Sequence, residues 1–345
     1  MRKEGWEILY VGSKNGLETD IVPSNEIELK TVNVRPLPRE ISVKLLKSSL
    51  ISVQGFWQAL RLIADFRPDV VLGTGGFVAG PVVMAAVIRN IPVVIHEQNV
   101  YPGITNRLLA RMVDKVALNF SAAREYFPRS VTEKFVVTGN PVRENILKAD
   151  KNQARKELKL ERGRQTLLVF GGSRGASSIN RAMIYVCQQL QNEDWLQIIY
   201  ITGKDAYEDI KSKLKIEEKS VIKIFPYLHQ IEWAYAAADL IVNRAGATGL
   251  AEITARGLPA ILIPYPYATG NHQYYNASIL EAAGAAEIIS DEELTGELLT
   301  AKIVELLQNE EKLHFMQKQS QLMGHPGARD DLVKVIKNLV AIENT

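Results

Sequence analysis

Short apolar runs rich in valine and isoleucine recur along this chain, with longer amphipathic stretches between them. They read "EILYVG", "VVLGTG", "PVVIHE", "KVALNF" and "KFVVTG", and then, after a polar stretch, "TLLVFGG", "IIYITG", "VIKIFP", "LIVNRAG", "AILIPYP" and "AAEIIS". A run without polar alternation suits a strand covered on both faces. Stretches such as "SSINRAMIYVCQQLQ" and "HQYYNASILEAAGA" have helical spacing and crossover length. The pattern predicts an α/β chain of two doubly wound, Rossmann-like domains with parallel sheets. The charged, core-poor segment "KADKNQARKELKLERGRQ" separates the two series. We therefore expect an N-terminal domain over 1–147, a linker over 148–165, a second domain over 166–325, and a C-terminal helix over 326–345 that packs back on the first domain.

Bulk properties exclude several classes. Apolar residues make up 46% and charged residues 23%, as in a globular protein. A net charge of +2 gives no field that argues for nucleic acid. The single cysteine, Cys187, leaves no internal disulfide and no cysteine-based zinc cluster. No run is long and apolar enough for a membrane span, and "MRKEGWEILYVG" has no apolar signal core, so the expected setting is cytoplasmic.

Four glycine-rich turns sit at strand ends: "GTGGFVAGP", "GGSRGASS", "NRAGATG" and "YATGNHQ". Ligands of parallel sheets bind outside the carboxyl ends of the strands. Small residues there let backbone N–H groups approach an anion, and the following helix adds its positive end. The bland reading is that glycine merely makes each turn tight. A dinucleotide fingerprint is a competitor at "GTGGFVAG", with Glu97 at a suitable distance for a ribose. Its third glycine fails, because Val78 stands there.

In "NRAGATGLAE" the amides of Ala245 to Ala247 could reach a phosphate and Arg244 could neutralise one of its oxygens. Glu252 lies a turn into the next helix, where a carboxylate suits the paired hydroxyls of a ribose. The alternative is a surface glutamate paired with Arg256. His96 ends a strand and reads as structural in preference to catalytic; His229, His314 and His325 receive no role.

Together, "GTGGFVAGP", "HEQN", "GNPVR", "GGSRGA", "NRAGATGLAE" and "GNHQYYNA" resemble the MurG family of bacterial glycosyltransferases. The resemblance runs from about Gly5 to the C-terminus and keeps the family's motif order. It implies a GT-B fold, with the active site in the cleft between two domains. The implied reaction is inverting transfer of N-acetylglucosamine from UDP-GlcNAc to the 4-hydroxyl of the MurNAc of lipid I, giving lipid II for peptidoglycan. By resemblance, Ser173, Arg244 and Ala247 meet the donor diphosphate and Glu252 takes the ribose. Leu228 recognises uracil through its backbone, while His272, Gln273 and Asn99 contact the donor sugar and Arg143 faces the nucleotide. Gly75, Gly76 and Phe77 belong to the turn that meets the acceptor's diphosphate. There is no D-x-D motif, and the resemblance implies neither metal nor cofactor.

The family ordinarily opens with a strand and a G-G-T-G-G-H turn, whose histidine is proposed to act at the acceptor hydroxyl. This sequence starts after such a turn, so the first strand is expected to be missing and no residue here is assigned as general base. An internal methionine of a longer gene, a fragment, and a protein that no longer catalyses are the open explanations. The expectation is a chain that binds UDP-GlcNAc and transfers sugar poorly. A UDP-sugar epimerase of the same fold, or a catalytically impaired UDP-sugar binding protein, stands as the alternative.

The acceptor is a lipid, so membrane contact is implied. The segment "REISVKLLKSSLISVQGFWQALRLI" holds Leu45, Leu46, Leu50, Phe56 and Trp57, with Arg39, Lys44 and Lys47 near its start. Apolar residues flanked by cations suit a peripheral helix on anionic lipid at the cytoplasmic face of the cell membrane. A core-facing amphipathic helix is the other reading.

Overall fold

Every strand pair among the described residues is parallel. The computed structural model describes residues 1–34, 43–172, 175–215 and 220–343, with the side chains of Lys3, 43–52 and 342–343 outside that description. Two units divide the chain: Met1–Gly139 with Arg329–Thr345, and Asn140–Ala328.

In the first unit, β1 (Leu9–Gly12) crosses through α1 (Glu18–Ser24) to pair with β2 (Glu28–Thr31). The long helix α2 (Val43–Phe66) leads to β3 (Val71–Gly73), α3 (Gly76–Ile88), β4 (Val93–Glu97), α4 (Ile104–Leu109), β5 (Lys115–Leu118) and β6 (Phe135–Val137). Strands β3 to β6 form a separate sheet in the order β3-β4-β5-β6. Strand β4 is buried along its whole length, as its unbroken apolar run requires. By contrast, Tyr10 of β1 and Leu72 of β3, each on an edge strand, remain exposed. Ala59 and Ile63 of α2 and Val83, Ala85 and Ala86 of α3 close the core over Ile95, Val116 and Leu118.

The second unit begins with two short helices, α5 (Glu144–Lys148) and α6 (Lys151–Glu157). Asp150 caps α6 by accepting from the Gln153 amide at 2.9 Å. Then follow β7 (Gln165–Phe170), α7 (Ser177–Leu190), β8 (Leu196–Ile201), α8 (Tyr207–Leu214), β9 (Ile222–Phe225), α9 (Ile231–Ala237), β10 (Leu240–Asn243), α10 (Ala247–Ala255), β11 (Ala260–Leu262), α11 (His272–Ala282) and β12 (Ala286–Ile288). Helices α12 (Gly296–Gln308) and α13 (Glu310–Met323) complete the unit. The sheet runs β12-β11-β10-β7-β8-β9. From β7 the chain builds outward on one side through β9, then returns to the other side of β7 and builds outward through β12. The direction of growth reverses between β7 and β10, which is the switch point of a doubly wound sheet.

Helix α7 shows why the sequence folds this way. Ile179, Met183, Val186 and Leu190 recur at helical spacing and lie against Leu167, Ile198 and Tyr200 of β7 and β8. The Tyr200 hydroxyl donates to Asn180 Oδ1 at 3.0 Å, and Asn180 Nδ2 donates to the Thr202 carbonyl, so this buried polar pair is satisfied. Cys187 is buried on the same face, and burial pushes its thiol up to about 12, which leaves it unreactive. The C-terminal helix α14 (Ala328–Glu343) joins the first unit, where Leu332 and Ile336 pack on Val94 and Ala117.

Leu167 is fully buried at the centre of the six-stranded sheet. We expect Leu167→Ala to cost about 2–5 kcal/mol of stability, read as a lower denaturant midpoint at unchanged slope.

Candidate functional site

The switch point of the second unit places two turns side by side. One follows β7 and enters α7; the other follows β10 and enters α10. Neither helix has a side-chain cap: the N-cap residues are Ala176 and Gly246. Their first-turn amides have no partner within the helix, and the two positive ends start from neighbouring strands. Gly175 makes the first turn possible, since its φ is +74° and a Cβ there would sit 2.5 Å from the Thr202 carbonyl oxygen. A Cβ on Gly246 would meet nothing within 4 Å, so that turn leaves open space in front of its backbone. Ala247 is the first residue of α10. Ser173 falls outside the described residues.

Arg244 lies in this turn, but its guanidinium is turned into the protein. Nη1 donates to the carbonyls of Ile263 and Pro264 at 3.1 and 3.2 Å and pairs with Asp291. Nη2 donates to Ser178 Oγ at 2.8 Å, and the guanidinium lies 5.5 Å from the Tyr265 ring centroid. The side chain is only 11% exposed. Arg244 thereby ties the first turn of α7, the loop after β11 and the loop after β12 to the turn after β10. Gln273 makes a similar bridge, since its Oε1 accepts from the amides of Ala245 (3.2 Å) and Tyr265 (2.9 Å). The other donor-sugar candidate on α11, His272, has Nδ1 against the Thr269 carbonyl at 2.8 Å, which directs Nε2 elsewhere.

Glu252 of α10 is buried, with its side chain 8% exposed. Its partner is Arg143, not Arg256: Arg143 Nη2 and Nε reach Oε1 at 3.0 and 3.3 Å. Arg256 instead donates to the carbonyls of Ile146 and Leu147 at the end of α5. The second carboxylate oxygen of Glu252 accepts from the Tyr235 hydroxyl at 2.8 Å. Sequence reasoning missed Tyr235, which sits in an alanine-rich helical stretch with no local sign of a polar task. Asp291, the counter-charge of Arg244, was missed too, because it opens the acidic run Asp291–Glu293 that reads as a solvated loop. Leu228 lies in the loop between β9 and α9, at the same carboxyl end of the strands.

In the first unit, the loops after β3 and β4 form a second polar cluster. Glu97 is its hub: Oε1 accepts from the Asn99 amide and side chain at 3.0 and 3.2 Å, and Oε2 from the Gly103 amide and Asn106 Nδ2 at 3.0 and 2.8 Å. A carboxylate engaged in this way within its own loop does not serve as the ribose acid of a dinucleotide fingerprint. Gly75 and Gly76 both take positive φ, and Asn106 stands where a Cβ on Gly75 would point. Gln98 Nε2 donates to the Thr74 carbonyl at 3.1 Å, so the Asn99 loop and the Gly75–Phe77 turn are linked. Phe77 is exposed. His96 is buried, with Nε2 against the Gly139 carbonyl at 2.9 Å and Nδ1 against Gln98 Nε2 at 3.1 Å. Both ring nitrogens are occupied, which gives His96 a structural role.

The apolar segment of α2 is split by its helical phase. Phe56 packs on the core of the first unit, while Trp57 is 62% exposed. Leu45, Leu46 and Leu50 belong to α2 with side chains outside the description. A stripe that sequence reasoning passed over appears further along the first unit: Ile104, Leu108 and Met112 are exposed, with Arg107 and Arg111 between them. Spacing at i, i+4 and i+8 was the available signal. No described helix is long and apolar enough to cross a membrane.

Comparison with known proteins follows the same division. Residues 1–118 match the model of the glycosyltransferase family 28 N-terminal domain, and residues 166–332 that of the C-terminal domain. The chain is 51% identical over 344 residues to the UDP-N-acetylglucosamine–N-acetylmuramyl-(pentapeptide) pyrophosphoryl-undecaprenol N-acetylglucosamine transferase of Halothermothrix orenii, covering 98% of this chain and 92% of that protein. The protein of the same description from Desulforamulus reducens is 46% identical over 97% and 91% of the two chains. Among solved structures, MurG of Acinetobacter baumannii superposes with a TM-score of 0.76 at 28% identity, covering 98% and 92%. A UDP-GlcNAc 2-epimerase from Neisseria meningitidis gives 0.64 at 13% identity over 96% and 91%, a likeness of fold alone.

Burial holds the His96 pKa below its ordinary value, against the opposing pull of the Gly139 carbonyl and Glu97. The unfolded chain takes up this proton near about pH 6.5, and the folded chain resists it, so stability is present above that pH and is lost as the pH falls below it. His96→Gln should lower stability at neutral pH and flatten the decline below about pH 6.5, measured as the denaturant midpoint against pH.

Proposed function

The chain belongs to the MurG family of glycosyltransferases and has its GT-B fold, and on that premise we propose that it transfers N-acetylglucosamine from UDP-GlcNAc to the MurNAc 4-hydroxyl of lipid I, giving lipid II. The observation that carries the site assignment is the pair of uncapped helix ends at the switch point, with the buried carboxylate of Glu252 in the second turn of one of them. A nucleoside diphosphate needs this combination: fixed positive dipoles for the phosphates and an acceptor for the ribose hydroxyls.

In this reading the diphosphate lies against the first-turn amides of α7 and α10, including that of Ala247, with Ser173 in the preceding turn. Arg244, its charge already met by Asp291, fixes the surrounding loops. Glu252 takes the ribose, Arg143 faces the nucleotide, and the backbone at Leu228 reads the uracil. His272 and Gln273 meet the donor sugar, Gln273 through its amide nitrogen because its oxygen is held by two backbone amides; Asn99 is assigned to that sugar by the family resemblance alone. Charge develops on the departing UDP during in-line attack. Preorganised amides and helix ends stabilise that charge more in the transition state than in the bound substrate, which is what accelerates the step. The Gly75–Gly76–Phe77 turn opens α3 and would hold the acceptor's diphosphate in the same manner.

We further assign the protein to the cytoplasmic face of the cell membrane, as a peripheral enzyme on anionic lipid. Exposed Trp57 and the Ile104, Leu108 and Met112 stripe with Arg107 and Arg111 support this, alongside the apolar start of α2.

Titration calorimetry with UDP-GlcNAc and a lipid I transfer assay test the assignment. Binding should be measurable, and Glu252→Gln should weaken it about tenfold or more. Donor binding without lipid II formation would mark a UDP-sugar binding protein, and conversion of the donor to its 2-epimer would mark an epimerase. On vesicles containing anionic lipid, Trp57→Glu with Leu108→Glu should reduce flotation with the membrane; unchanged flotation removes these residues from the contact surface.

A further inference from the structure

Tyr235 has no place in the reading above, yet its hydroxyl is the only fully buried donor to Glu252 among the described residues. The side chain is completely buried in α9, and its ring meets Phe170 edge-on at 5.8 Å, at the end of β7 where the turn into α7 begins. The hydroxyl donates to Glu252 Oε2 at 2.8 Å. Burial, together with the neighbouring carboxylate, raises the Tyr235 pKa well above its ordinary value, so the hydroxyl keeps its proton and acts only as a donor. The other donor, Arg143, differs in kind: its side chain is 54% exposed and both of its contacts fall on Oε1.

A carboxylate offers about four lone-pair sites over its two oxygens. Here one oxygen is held from inside the protein by a donor fixed by packing. The other is held by a long, solvent-facing side chain that a ligand can displace. Tyr235 is therefore the contact to this carboxylate that packing holds fixed. We propose that Tyr235 is a positioning residue for ribose recognition: it locks the Glu252 carboxylate in the orientation that accepts both hydroxyls of a vicinal diol. The inference rests on the assignment of Glu252 to the ribose. Because α9 directly follows the loop containing Leu228, the same side chain also couples the base-reading loop to the ribose carboxylate and to the turn after β7.

Titration calorimetry with UDP, 2′-deoxy-UDP and 3′-deoxy-UDP tests this on the full chain. Wild type should prefer UDP to either deoxy analogue by about tenfold or more, the worth of one charge-assisted hydrogen bond. Tyr235→Phe retains the ring and loses only the donor. Its affinity for the deoxy analogues should stay within about twofold of wild type, while that for UDP drops about fivefold or more, so the preference collapses. In the Glu252→Gln background, Tyr235→Phe should add less than about twofold, because the hydroxyl acts through that carboxylate. The double variant leaves no buried carboxylate without its donor, so it provides the comparison even where the single variant folds poorly. In the transfer assay KM for the donor should rise with kcat nearly unchanged. Retention of the full ribose preference in Tyr235→Phe, or an equal loss for all three ligands, would overturn the proposal. If Glu252→Gln abolishes the preference and Tyr235→Phe does not, only this inference fails. If wild type shows no preference, the ribose assignment fails with it.

Discussion

A parallel sheet covered by helices on both faces leaves its strand ends as the places where unsatisfied backbone meets solvent. In the second unit this constraint is sharpened by the reversal between β7 and β10. Two chains of crossovers depart in opposite directions from adjacent strands, so two helix starts are brought to the same end of the sheet. Amides at a helix start have no partner within the helix and carry partial positive charge. The proposed donor site rests on that geometry. A diphosphate is the ligand that benefits most from two such ends at once.

The charged side chains at this edge do a different task from the amides. Arg244 and Glu252 are both nearly buried, and each is held by several partners of stated geometry. Burying a charge costs more than a surface pair returns, and an ion pair inside a protein is weak evidence for stability. The partners do fix direction. Arg244 draws together loops from three separate strands and one helix, while Gln273 joins two of the same loops through backbone amides. The loops that would surround a donor are therefore tied to one another as well as to the sheet.

Much of this was legible before any coordinates. The valine- and isoleucine-rich runs became β1 and β3 to β12, because an unbroken apolar run has few ways to bury both faces. Strand β2 was not legible: Glu28–Thr31 holds a single apolar residue, Leu29, between two charges and is half exposed, so it lacks the run that identified the others. The neighbours Phe56 and Trp57 looked equivalent in sequence. A helix turns about 100° between them, so one enters the core and the other faces out. Glu97 and Glu252 also looked alike, each an acid following a glycine-rich turn. Their difference lies in which donors fold back on them.

The sequence by itself determined the class of fold, most of its strands and the family, because these depend on local periodicity and on short motifs whose residues are contiguous. Tertiary structure decided which charges are occupied and which are available. Glu97 is consumed by amides of its own loop, whereas Glu252 is held by Tyr235 and Arg143, residues far from it in the chain. Arg244 faces inward because Asp291 and two carbonyls meet there, and neither is adjacent to it in sequence. Hydrogen-bond partners are set by distances between elements that only packing brings close, and no local pattern of residues encodes those distances.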